Sequence, residues 1–456
     1  MRNRALIAAG AIVVALGVAA TANAAANLAV GSTVEYPPGP GQAMGTIATG
    51  SDGNVWYSYS NLTSPGGGLR AMATGSNVVL ASWAMPVSLF PLPYQDPDSL
   101  VNGPDGRLWF VQGEGPSGPP ILGAITTGGT YSAYPLPAGS TSGGVTPGAN
   151  NDLWVTAGSA IIRSTTGGAF TSYPLPSGAT TTIGAAPVVG PDGAIWFAAT
   201  QGGTGAVGRM TTSGAMQFFP LPLPAGAQAG WGVGATAFTT GPTGVLWATV
   251  QSQSPAGPGN AGAVMAIQST GAMTTVASLP GDPCVLDCTI ISAQDGNAWT
   301  TGNGAIMRIS PAGAVTSYTV VTKPGNAAPS SLAIGPDKNL WFTDGVNGNV
   351  GELAMFGGAP IPAPTASMVN GYRGKSATRG KKLQVIFEAG QSAAGQSRIT
   401  ISRRGTTVQL WKGNVRPGTT RTVSGTVPRS FPKGTATVAL VTPKSAGKAS
   451  TTVTVK

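Results

Sequence analysis

The chain has 456 residues, of which 9% are charged, 69 are Gly and 38 are Pro, and it carries a formal net charge of +10. Charge is far below the roughly 25% of an ordinary soluble domain. However, 41% hydrophobic residues and ten Trp supply enough apolar area to bury a core, which excludes a disordered chain and points to a turn-dense, all-β protein. Histidine is absent, which excludes Ser-His-Asp or Cys-His catalysis, a His general base and His-ligated metal, and two cysteines cannot close a four-Cys zinc site.

Residues 1–24 read as a secretory signal peptide. Arg2 and Arg4 precede an apolar run over residues 5–20, and Ala22-Asn23-Ala24 is a small-x-small cleavage site. The mature protein is therefore expected to be secreted or associated with the cell surface, with no transmembrane segment after cleavage.

Residues 27–356 are built on one repeated motif. It reads GSDGNVW (50–56), GPDGRLW (103–109), GANNDLW (148–154), GPDGAIW (190–196), GPTGVLW (241–247), AQDGNAW (293–299) and GPDKNLW (335–341). Its tryptophans are Trp56, Trp109, Trp154, Trp196, Trp247, Trp299 and Trp341, with spacings of 53, 45, 42, 51, 52 and 42 residues, in the range of propeller blades. Within a unit a small apolar segment enters the turn, where Pro presets φ and Gly supplies a positive φ. An alternating aromatic strand such as RLWFVQ (107–112) follows, then a third strand such as AIIRST (160–165), and a fourth such as AFTSYPLP (169–176). The closing prolines Pro135, Pro174 and Pro220 suit an outer edge, because Pro removes a donor that could pair with another chain. STVEYPPG (32–39) resembles a fourth strand without a unit, and residues 330–356 supply three strands without a fourth. The N-terminal strand is therefore expected to complete the last of seven blades.

Residues 357–367 form a Pro-, Gly- and Ala-rich linker. Residues 368–456 alternate over six or seven short strands, which predicts a basic immunoglobulin-like β-sandwich. Charge divides at the linker: from Ala366 onward there are 16 Lys and Arg against one acid, Glu388, giving +15, whereas residues 27–365 hold 7 against 14, giving −7. The fold class expected is thus all-β, a seven-bladed β-propeller followed by a small β-sandwich.

The segments GPDGAIWF (190–197), VGRMTTSGAMQFFPLP (207–222) and GPDKNLWFTD (335–344) resemble the streptogramin B lyase (virginiamycin B lyase) family over about residues 31–356. The resemblance implies a seven-bladed propeller, and for the lyase members a metal-assisted elimination that opens a cyclic depsipeptide at an ester, with histidine as catalytic group. With no histidine in the chain, no catalytic residue transfers, and the repeat motifs carry fold rather than chemistry.

Other candidates follow from residue type. The turn acids Asp52, Asp105, Asp192, Asp295 and Asp337 are expected to bond local backbone. Asp98, Glu114, Asp344 and Glu352 lie outside that position and are the oxygen ligands from which a Ca²⁺ or Mg²⁺ site would be drawn under a lyase reading; no metal is assigned and no cofactor is expected. Cys284 and Cys288 are expected to form a disulfide in an exported protein. Lys381, Lys382, Arg403 and Arg404 are the densest basic pairs and the candidates for an anionic cell-wall or polysaccharide surface. No nucleic-acid motif occurs, and a monomer is expected. The function expected is a binding or interaction module with an unidentified ligand on one propeller face, the alternative being a virginiamycin B lyase-type C–O lyase.

Overall fold

A computed structural model describes residues 31–36, 42–61, 66–74, 79–86, 89, 97–113, 119–242, 244–255, 260–279, 289–302, 304–320, 329–345, 348–356, 376–388, 395–415, 420–441 and 449–456. No helix occurs among them. The fold is all-β.

Seven antiparallel sheets follow one another along the chain, each built from hairpin-connected neighbours. Blade 1 comprises Gln42–Thr49, Val55–Asn61, Gly67–Met72 and Val79–Ala84; blade 2, Asp98–Asn102, Leu108–Gln112, Ile121–Ile125 and Tyr131–Pro135; blade 3, Val145–Pro147, Asp152–Thr156, Ala160–Thr165 and Phe170–Pro174. In blade 4 the first strand is split into Ala179–Thr181 and Val188–Val189, followed by Ile195–Gln201, Thr204–Met210 and Met216–Pro220. Blade 5 comprises Gly232–Thr240, Leu246–Gln253, Asn260–Ile267 and Met273–Leu279, and blade 6 comprises Ile290–Ser292, Ala298–Gly302, Ala305–Ile309 and Val315–Thr319. Blade 7 takes Pro329–Ile334, Leu340–Asp344 and Asn349–Leu353 from one end of the ring and Thr33–Tyr36 from the other.

The closing pairing is antiparallel, with Thr33 opposite Leu353 and Tyr36 opposite Val350. First strands touch from blade to blade. Gln42–Thr49 contacts both Asp98–Asn102 and Pro329–Ile334, so the succession returns to its start and the first strands surround an axis.

The core lies between blades. The motif Trp of each unit is buried, with Trp56, Trp109, Trp299 and Trp341 at 0% exposure. Trp56 packs with Leu108 and Phe110 of blade 2, and Trp109 with Leu153 and Val155 of blade 3. Each large apolar side chain thus fills the space between two sheets, as burial of a one-sided strand face requires.

The fourth strands end as their sequence dictates. Pro135, Pro174 and Pro220 are the last paired residues, and the next residue resumes donation: Leu136 N–H to Pro120, Leu175 N–H to Ser159 and Leu221 N–H to Gly205, at 2.8–3.0 Å.

Beyond the propeller, one sheet runs Ser376–Ala377, Ala449–Val455, Gly434–Val441, Gly395–Arg403, Thr406–Val415 in spatial order. A second pair joins Lys382–Glu388 to Thr420–Thr426. Ile399, Ile401, Val438 and Phe431 are buried there.

Candidate functional site

The repeated turn explains itself at the atomic level. In five blades the motif Trp donates its indole N–H to the turn acid four residues earlier: Trp56 to Asp52 at 3.0 Å, Trp109 to Asp105 at 2.9 Å, Trp196 to Asp192 at 3.0 Å, Trp299 to Asp295 at 3.1 Å and Trp341 to Asp337 at 3.0 Å. The same carboxylates accept the backbone N–H two residues on, at 3.1–3.2 Å. Arg107 and Arg209 add ion pairs of 2.6 and 2.7 Å to Asp105 and Asp192. Their guanidinium carbons lie 4.4 and 5.7 Å from the ring centroids of Trp109 and Trp196. Burial works to raise both carboxyls, but the indole and guanidinium bonds outweigh it and hold them below the usual carboxylate range.

An aromatic from the fourth strand stacks on the motif Trp in six blades: Trp83 on Trp56, Tyr134 on Trp109, Tyr173 on Trp154, Phe219 on Trp196, Tyr318 on Trp299 and Tyr36 on Trp341, with centroids 4.6–5.9 Å apart. A glycine of the following unit then lies against that aromatic. Gly168, at φ +84°, has no room for a Cβ, which would stand 2.1 Å from Tyr134, and Gly31, at φ +86°, is in the same position against Tyr318.

The axis is lined differently. First strands are bulged in blades 1, 2, 5 and 7, between Met44 and Ile47, Asp98 and Val101, Ala235 and Ala237, and Pro329 and Leu332. A bulge leaves backbone groups without a ladder partner, and hydroxyls two residues beyond the motif Trp supply one. Ser58 accepts from Thr46 N–H at 2.9 Å, Thr249 from Ala237 N–H at 3.1 Å and Thr343 from Ser331 N–H at 3.3 Å. Hydroxyls also bridge blade to blade. Thr46 donates to the Pro97 carbonyl, Ser99 accepts from Val145 N–H, and Thr156 donates to the Ala185 carbonyl. Further round, Thr239 accepts from Ser292 N–H, Thr289 donates to the Ser330 carbonyl, and Thr343 donates to the Gly45 carbonyl at 2.6 Å. In blade 4 the segment between the two half-strands carries Ile183, 73% exposed. Most of these hydroxyls are spent inside the fold: Ser58, Thr156, Thr249 and Thr343 are buried and bonded to backbone, so they hold the first strands together around the axis.

The acids outside the turns are dispersed. Asp344 is fully buried at the end of Leu340–Asp344, where it stands opposite Asn349. Glu352 belongs to the ring closure. It accepts the Tyr36 hydroxyl at 3.0 Å and the Asn339 amide at 2.6 Å. Burial, followed by the charge of Asp337, pushes Glu352 above the usual carboxylate range, and burial pushes Asp337 and Tyr36 up as well. Asp98 stands at the blade 2 bulge; Glu114, Cys284 and Cys288 lie outside the described residues. Among the described residues no three His, Cys, Asp or Glu converge in a way that could hold a metal ion.

Blade 3 lacks the turn acid. Between it and blade 4 lies a cavity of about 140 Å³ lined by Asn150, Asp152, Trp154, Arg163, Ile195 and Thr212, among others. Its two charges neutralise each other, Arg163 lying 2.6 Å from Asp152.

The basic candidates of the C-terminal unit are scattered. Lys381 and Arg404 are exposed, and Lys382 stands opposite Thr426. Arg403 is half-buried and donates to the Thr435 carbonyl. The repeat Trp and Asp positions were visible in the sequence, whereas the hydroxyl belt was not read from it, although Ser58, Thr156, Thr249, Thr301 and Thr343 all stand two residues after a motif Trp.

Residues 35–249, just under half of the chain, match the Virginiamycin B lyase family. Three solved structures resemble the fold. A streptogramin B lyase is 24% identical, covering 71% of this chain and 97% of that one, with a TM-score of 0.54. A catalytically inactive histidine-to-alanine variant of the virginiamycin B lyase from Staphylococcus aureus with quinupristin is 22% identical, covering 71% and 99%, with a TM-score of 0.55. The selenomethionine-substituted enzyme from the same organism is 23% identical, covering 71% and 99%, with a TM-score of 0.54. No curated protein matches the chain.

Proposed function

Starting from a propeller of the virginiamycin B lyase type, we propose that this chain is an exported, non-catalytic binding module. The observation that carries the reading is the complete absence of histidine. A structural relative that has lost one histidine is described as catalytically inactive. An elimination needs a base placed at the acidic carbon–hydrogen bond, and the chain has no histidine to serve as one. The ligand is assigned to a propeller face, where the positions at which blades differ are free to carry recognition.

Incubation of the purified protein with quinupristin, with and without Mg²⁺, tests this by mass spectrometry. The expected outcome is an intact ring at the background rate. Metal-dependent ring opening would overturn the reading in favour of the C–O lyase, with an Asp or Glu as base.

Export is proposed on the basic, apolar and small-x-small succession of residues 1–24. Among the described residues no helix is long and apolar enough to cross a membrane. Cleavage after Ala24, read by mass spectrometry of protein recovered from outside the cell, is the expected outcome; a retained N-terminus counts against it. In that compartment Cys284 and Cys288 are oxidised to each other. Labelling of two thiols in the non-reduced, denatured protein would refute the bond. The +15 C-terminal unit holds the propeller on an anionic surface, an attachment that weakens as salt screens it.

A further inference from the structure

The larger C-terminal sheet has two unlike faces. Ile399, Ile401 and Val438 are buried, whereas Arg398, Thr407, Gln409, Lys412, Thr435 and Thr437 are exposed, as strand alternation requires. The register assembles the exposed set into rows. Arg398 stands opposite Lys412, Thr400 opposite Gln409, and Ser402 opposite both Thr407 and Thr437.

Like charges directly opposite destabilise a sheet. Acids to relieve Arg398 and Lys412 are scarce: from Ala366 onward the sequence holds one, Glu388, on the separate strand Lys382–Glu388, against 16 Lys and Arg. An anionic group bound between the two cations would remove that repulsion. Arg404 is exposed in the hairpin that joins these strands. Six residues at the strand rise separate it from Arg398, roughly 20 Å. Cations thus stand at both ends of a strip of hydroxyls and an amide.

We propose that this sheet face binds a linear anionic polysaccharide. The inference rests on the reading that the C-terminal unit meets an anionic surface, and it names the face and the polymer. Hydroxyls and the Gln409 amide both donate and accept, which suits sugar hydroxyls, and a row of them along the strands suits an extended chain. The large exposed hydrophobics among the described residues are Leu89, Ile183, Leu223 and Phe356, all outside this unit. The face therefore offers no wedge for a bilayer and no described aromatic on which bases would stack.

The test uses the full chain, with polygalacturonate, neutral dextran, phosphatidylglycerol vesicles and single-stranded DNA as probes. Polygalacturonate is expected to bind more tightly than the other three and to weaken steeply with salt. The double variant R398Q/K412Q is expected to lose at least tenfold in affinity while melting no lower than the parent, since it removes the facing like charges, and R398K/K412R to keep affinity within threefold with thermal unfolding unchanged. T400V/T437V is expected to lose several-fold while keeping the salt dependence. Unaltered binding by R398Q/K412Q would overturn the face and leave the anionic-surface reading standing. Preference for vesicles or DNA would overturn the polysaccharide, and no binding to any polyanion would overturn both.

Discussion

A turn aspartate ordinarily serves its own backbone; here it also holds the indole of the residue four positions later. Asp192 shows the full set: the Trp196 indole, the Ala194 N–H and the Arg209 guanidinium. Asp192→Ala leaves the N–H of a buried Trp without a partner, at a cost of about 1–3 kcal/mol. The shift in the urea midpoint measures it. Blade 5 differs in sequence at this position: Trp247 follows the turn GPTG (241–244), with Thr243 where the acid stands in five other blades. Glu352 makes the opposite case. Its carboxyl and that of Asp337 are raised by burial, so the stability they contribute is fully present below their unfolded values and is lost as pH rises through the raised folded ones. Asp105 and Asp192 are lowered, so their contribution is present above their unfolded values and is lost as pH falls through the folded ones. Glu352→Gln, which keeps an acceptor for Asn339, is therefore expected to flatten the decline in melting temperature between mildly acidic and neutral pH and leave the acid limb unchanged. A variant as pH-sensitive as the parent would refute this role for Glu352.

At the scale of the strand, the same short hydroxyl residues satisfy bulged backbone and tie adjacent blades. Thr343 is fully buried, accepts from Ser331 N–H and donates to the Gly45 carbonyl. Thr343→Val keeps the shape but strands both backbone groups, with an expected loss of about 1–3 kcal/mol in chemical denaturation; a loss under half of the lower figure would show that water replaces the hydroxyl. The motif tryptophans and the strands after them were legible in the sequence because Gly-Pro-Asp-Gly and Trp are strong local signals. The bulges were not. A bulge is a property of two strands in register, and Met44-Gly45-Thr46-Ile47 carries no local mark of the one-residue slip. Asp344 was picked out by residue type alone, and the structure makes it the last residue of the strand Leu340–Asp344 and buries it completely. The basic residues show what register adds to adjacency. Sequence adjacency picked out Arg403 with Arg404, whereas cross-strand register brings Arg398 beside Lys412.

At the scale of the molecule, what the sequence made visible was the ring and its closure, since a surplus strand at one end matched a deficit at the other. Which chemistry the ring carries was not visible, because the repeated residues are those that pack blades, and ligand contacts belong to the positions at which blades differ. Blade 4, with its split first strand and exposed Ile183, and blade 3, with its displaced acid, break the repeat most.

Gly31 makes one more point. It lies on Tyr318 as Gly168 lies on Tyr134, its N–H reaches the Ala354 carbonyl at 2.8 Å, and Ala354 N–H reaches the Ser32 carbonyl at 3.0 Å. The covalent gap between Phe356 and Gly31 therefore sits where the other units have an ordinary reversing turn, so the position of the gap is arbitrary with respect to the packing. A circular permutant of residues 31–356, rejoined there by about four small residues and opened instead within the exposed turn 211–215, is expected to keep the same ring, since permutation succeeds at exposed turns whose ends lie close together. Its melting temperature should stay within a few degrees of the uncut propeller, and the new staple would be Met216–Pro220 on Thr204–Met210. Failure of the permutant to fold would mean that Thr33–Tyr36, the first described strand in chain order, templates the ring in a way that no later strand can replace.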